Sequence, residues 1–92
     1  MLGDAAIPVP AFLERTLTWQ ELEPYREQLS GPALVLALAS EDAHVRANAA
    51  TALGIIGFPS EELVRAVADV DATVRRAARD ALSNLGEASY EA

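Results

Sequence analysis

Three arginines, Arg75, Arg76 and Arg79, stand close together near the end of the chain. Guanidinium groups spaced this way can grip carboxylates through paired N–H donors, so the cluster suits an acidic peptide or a charged partner helix. The competing reading is an ordinary solvated helix face, neutralised by Asp80 and neighbouring acids. A second charged set recurs at one constant offset, Asp42 and Arg46 being followed by Asp71 and Arg75. Partner recognition is one reading of this set. The structural one is helix capping by the aspartates together with ion pairs between repeats, Arg46 being expected near Asp71. His44 is the only histidine and the chain has no cysteine, so an ordinary zinc site has too few ligands. The acid pairs Glu41–Asp42 and Glu61–Glu62 stand at helix starts, where the helix dipole favours negative charge, and not as a general acid and base. No nucleophile elbow, phosphate loop, dinucleotide fingerprint or calcium loop occurs. The residues therefore predict no catalytic site, no metal and no cofactor.

Charge and composition narrow the partner. Fourteen acids face seven arginines and no lysine, for a net charge of −7. That balance disfavours nucleic acid, which calls for a basic surface. The abundant alanines and the missing lysines read as the codon bias of a GC-rich genome. The longest uncharged run, positions 29–40, includes Gly31 and Pro32. A bilayer needs about 20 apolar residues, more than this run supplies, so no membrane segment is expected. The start of the chain lacks a basic stretch followed by an apolar one, which predicts a cytoplasmic chain.

The arginines and aspartates need elements to position them, and an internal repeat supplies these. Positions 34–57 and 63–86 align without gaps, and half of the paired positions are identical. Each block reads as two helices. In the second, Ser60 after Pro59 is a helix start, and Leu63, Val64, Ala66, Val67 and Val70 form an apolar stripe. Asp71 then caps a helix over about 72–85, whose apolar face is Val74, Ala78, Ala81, Leu82 and Leu85. Gly86 is placed as its stop. In the first block, one helix starts near Pro32. Another runs over about 43–56, from an Asp42 cap to a Gly57 stop, with Val45, Ala49, Ala52, Leu53 and Ile56 inward. Phe58 is read as packing under the turn between the blocks, in preference to serving as an exposed anchor.

The region before position 30 does not align with the repeat. Residues 1–10 hold Pro8 and Pro10 and are expected to be flexible; a short helix is expected over 11–16. Thr18 to Glu21 fits a capping box, opening a helix that ends near Leu29 and is kinked at Pro24. Residues 11–31 are thus read as a degenerate hairpin whose Phe12, Trp19 and Tyr25 cover the end of the core. Repeats at 32–58 and 59–86 follow, and a frayed tail at 87–92.

A helical projection of the second helix places Arg76, Arg79 and Ser83 away from the apolar stripe, with Asp80 beside them. The matching positions of the first block are Ala47, Ala50, Gly54 and Thr51, all small. A neutral strip beside an arginine cluster would accept a partner, and Ala47, Ala50, Thr51, Gly54, Arg76, Arg79 and Ser83 are the expected binding surface. Two alternatives stay open for the strip: it is covered by another helix, including one from a second copy of the chain, or its alanines serve only helix propensity.

The motif Asp-x-x-Val-Arg-x-x-Ala-x-x-Ala-Leu-x-x-Ile/Leu-Gly, at Asp42 to Gly57 and again at Asp71 to Gly86, resembles the HEAT repeat. It is closest to the short bacterial form named for phycobilisome lyases. The resemblance implies an all-α fold, a short right-handed α-solenoid of helical hairpins. It also implies a non-catalytic protein-binding or scaffold role, commonly through the surface of the second helices. The expected partner is another protein, a homodimer being one form of it. An alternative implied by the same resemblance is a subunit or fragment of a bilin lyase-like enzyme, with Arg76 and Arg79 pairing with bilin propionates.

Overall fold

The computed structural model describes residues 15–91. The chain is all-α, with no strand among the described residues. Its elements are α1 (Trp19–Leu22), a 3₁₀ helix (Glu23–Gln28), α2 (Gly31–Ala37), α3 (Ala43–Ile56), α4 (Glu61–Arg65) continued by a 3₁₀ turn (Ala66–Ala68), and α5 (Ala72–Glu91). The first hairpin is α2 with α3, and the second is α4 with α5. The covering role of Phe12 lies outside the described residues, as does most of the helix expected over 11–16; Arg15 and Thr16 are not helical.

Side-chain caps start α1, α3, α4 and α5 where the sequence suggests. The Thr18 hydroxyl accepts from the Glu21 N–H while the Glu21 carboxylate takes the Thr18 N–H, which opens α1 as a capping box. Pro24 does more than kink the helix: α1 ends at Leu22 and the chain continues as a 3₁₀ helix through Gln28. Proline lacks the N–H that would extend the α pattern, and the tighter turn accommodates it. Ser60 caps α4 through the Leu63 N–H at 3.1 Å.

The two expected glycine stops behave differently. Gly57 adopts φ 70°, ψ 40° and ends α3. The Phe58 N–H returns to the Leu53 carbonyl at 3.0 Å, and Pro59 prevents any continuation. Gly86 has no positive φ, and α5 runs through it to Glu91. The stop expected at Gly86 is therefore corrected: the backbone stays helical through Glu91. No proline follows Gly86, so one glycine costing about 1 kcal/mol is not enough to end the helix.

The core lies between the hairpins and is built from Leu22, Leu34, Val45, Leu53, Leu63 and Val74, all fully buried, with alanines between them. α5 packs along α3 so closely that a Cβ added at Gly54 would lie 2.9 Å from Ala81. Gly31 is glycine for a similar reason: the Phe58 ring fills the place where its Cβ would stand. Phe58 thus packs beneath the inter-repeat turn as expected.

Candidate functional site

The repeated charged residues form a ladder along the inter-helix turns. The Asp42 carboxylate accepts the His44 N–H at 2.8 Å, and Asp71 accepts those of Thr73 at 2.8 Å and Val74 at 3.2 Å. Both aspartates are therefore N-caps. The arginines beside them grip the turn before their own helix. Arg46 Nη1 donates to the Ser40 carbonyl at 2.9 Å, and Arg75 Nη1 to the Asp69 carbonyl at 2.8 Å. Ser40 and Asp69 occupy matching positions of the two repeats, as Arg46 and Arg75 do, so the two turns share one geometry.

The inter-repeat ion pair is real, but its partner differs from the expected one. Arg46 pairs with Asp69, not Asp71: Nε donates to Oδ2 at 2.9 Å and Nη2 to Oδ1 at 3.1 Å. Asp71 is committed to the N–H groups of its own helix, whereas Asp69 sits earlier in the turn, facing the preceding hairpin. Both side chains of the pair are only 15% exposed. Partial burial of the Asp69 carboxyl opposes its ionisation. The hydrogen bonds from Arg46 and from the Asp71 N–H, with the charges of Arg46 and Arg75, outweigh that and hold its pKa below the ordinary value. Asp69 aligns with Ser40, so a search for repeated acids passes over it. The available signal was that the Arg46 side chain reaches forward, toward the turn of the next hairpin.

The residues expected to form one binding surface separate into two groups. Ala47, Ala50 and Gly54 are buried, the two alanines completely, so the open neutral strip is corrected. Gly54 lies against both Ala81 of α5 and Trp19 of α1. Their small size is what allows the helices to meet. Thr51 is half-buried on the rim of a groove that it shares with Trp19, Thr73, Arg76 and Asp80. Arg76, Arg79 and Ser83 are exposed on the outer side of α5. Among the described residues, their side chains make no hydrogen bond or ion pair.

Asn48 is a structural residue that the sequence did not single out. It is fully buried. Its Oδ1 accepts the Leu17 N–H at 2.6 Å, and its Nδ2 donates to the Arg15 carbonyl at 2.9 Å. One side chain thereby holds an extended stretch of backbone against α3. The segment is also tied down by Arg15, which pairs with Glu21 and holds the Glu21 carboxyl down to about 2, helped by the Thr18 N–H. His44 Nδ1 lies 3.2 Å from the Thr16 hydroxyl, a local contact at the start of α3. No cluster of three or more His, Cys, Asp or Glu side chains suited to a metal occurs among the described residues. No helix among them is long and apolar enough to cross a membrane.

The family model for HEAT repeats matches residues 26–91. No curated protein and no solved structure matches the chain. The family match spans both hairpins, the Arg46–Asp69 rung and the α5 arginines, and it agrees with the repeat read from the residues. The chain belongs to the HEAT repeat family.

Proposed function

We propose that this chain is a non-catalytic protein-interaction module that receives a partner protein on the outer face of α5, at Arg76, Arg79 and Ser83. One observation carries the reading. At the positions where α3 buries Ala47 and Ala50, α5 exposes two arginines that no described acid neutralises. Unpaired guanidinium groups on a rigid helix offer charge recognition at little ordering cost. The half-buried Thr51 lies on the far rim of the adjoining groove and would meet the edge of such a partner. HEAT repeats are commonly interaction scaffolds, which supports the class of function, and the short repeat period fits the short form of the repeat.

The test is affinity capture from the native host, comparing the wild-type chain with Arg76→Glu/Arg79→Glu. Loss of the captured protein on double substitution is expected; unchanged capture removes this surface from consideration. A cytoplasmic partner and no measurable binding to duplex DNA at low salt are expected. A change in bilin visible absorption on mixing with the chain would favour the lyase-like alternative instead.

A further inference from the structure

The two hairpins share their turn geometry, so the rung filled in one shows what the other is built to hold. In the first hairpin, Arg46 is anchored through Nη1 to the Ser40 carbonyl and offers Nε and Nη2 to the Asp69 carboxylate. In the second, Arg75 is anchored through Nη1 to the carbonyls of Asp69 at 2.8 Å and Val70 at 3.1 Å. Its Nε and Nη2 have no hydrogen-bond partner among the described residues. The guanidinium is therefore held in place with its carboxylate-binding edge open.

The neighbouring apolar residues follow the same correspondence. Val35 and Leu38 of the first hairpin lie beside Glu62, Ala66 and Asp69 of the second. Their equivalents in the second repeat are Val64 and Val67. Val64 is 53% exposed. An anchored guanidinium beside the exposed Val64, with the half-buried Val67 packed at its base, forms a composite surface, cationic at one end and aliphatic at the other. Beyond it lie the exposed Arg76 and Arg79, whose desolvation would be a large cost under an alanine-faced helix. The occupant that fits is therefore a short aliphatic helix followed by an acidic residue, without a second helix packed on Arg76 and Arg79.

We propose that the open edge of Arg75 is a carboxylate site, and that the partner fills it with an aspartate or glutamate carried just after an aliphatic helix that covers Val64 and Val67. This rests on the α5-face reading above and names the chemistry of the partner. A second copy of the chain is not the occupant, because its Asp69 is already held by its own Arg46.

The probe is a synthetic peptide of residues 60–71, the segment that docks on the equivalent surface within the chain. It is titrated to about millimolar concentration into the intact protein while the Arg75 Nε–Hε and the Val64 and Val67 methyl resonances are followed. Saturable shifts at all three sites are expected. The peptide carrying Asp69→Asn should bind about fivefold more weakly, as for the loss of a charge-assisted hydrogen-bonded pair. The chain variant Arg75→Gln should lose a similar factor and no longer distinguish the two peptides. The peptide substitution leaves the protein untouched, so misfolding of the chain variant cannot hide the answer. Absence of shifts, or equal affinity for both peptides, overturns the proposal. So does a concentration-dependent dimer that Arg75→Gln abolishes, which would assign the site to a second copy. Host-partner capture lost in Arg76→Glu/Arg79→Glu alongside a failed peptide titration rejects the Arg75 site alone; capture unaffected by that pair rejects the reading beneath it.

Discussion

The outer faces of α3 and α5 descend from one repeated pattern and have opposite fates. On α3 the face reads Ala47, Ala50 and Gly54 and is covered; on α5 it reads Arg76, Arg79 and Ser83 and is exposed. Small side chains permit helix axes to approach, while arginines carry a large desolvation cost and hold an approaching helix off. The same three positions therefore carry a covered face in one hairpin and a charged, exposed face in the other. On α5 the result is a charged surface carried on a long helix.

That contrast breaks most easily where a charge is forced into the covered face. Ala50→Arg should destabilise the fold by about 3–5 kcal/mol, since an unpaired charge would be forced into a fully buried position. Arg79→Ala, the reciprocal change, should stay within about 0.5 kcal/mol of wild type. Urea unfolding of the two variants measures the difference directly. Near-equal effects would mean that the faces are not distinguished by packing.

Asn48 sharpens the comparison on the opposite side of α3, because its counterpart on α5 is Ala77. Asn48→Ala leaves the backbone at Arg15 and Leu17 without its partners and should cost about 2–3 kcal/mol. Amide exchange at Leu17 should quicken in parallel. Ala77→Asn should cost less, as Ala77 is only half-buried.

The arginine rungs come next. Arg46→Ala strands a largely buried Asp69 carboxylate and should cost about 2–3 kcal/mol, whereas Arg75→Ala should cost about 1 kcal/mol. The pH dependence follows from the lowered Asp69 pKa. A depressed carboxylate pKa means that the unfolded chain binds the proton more readily. The stabilisation is therefore complete above about pH 4 and is lost as pH falls through the lower, folded-state value. Asp69→Asn should flatten this part of the acid-unfolding curve, while Arg75→Ala should leave most of it, because Arg46 remains in place.

The smallest expected effect is one on which the repeats agree. Asp42→Ala and Asp71→Ala each remove an N-cap and should each cost about 1 kcal/mol in thermal or urea unfolding. A large inequality would show that one aspartate has a further role.

Helix existence, order and starts were legible because capping and periodicity are local. Thr18, Asp42, Ser60 and Asp71 satisfy N–H groups within the first turn ahead of them. Helix ends were less legible: two glycines in matching positions ended one helix and not the other, and the difference lay in Phe58–Pro59 after Gly57. The Asp69 partner of Arg46 was missed because it has no acidic counterpart at Ser40. Exposure at the candidate surface was half legible. Arg76, Arg79 and Ser83 stand on the exposed face that the projection gave them, whereas Ala47, Ala50 and Gly54 do not.

The amino-acid sequence by itself determined the repeat, the all-α class, the caps and the family, since each rests on residue types at fixed short spacing. Only the tertiary structure decided which face of each second helix meets water. A helical projection yields an angle around one axis and carries no information about what lies at that angle. Gly54 and Ser83 occupy the same angle; Ala81 stands against the first, and no described residue covers the second.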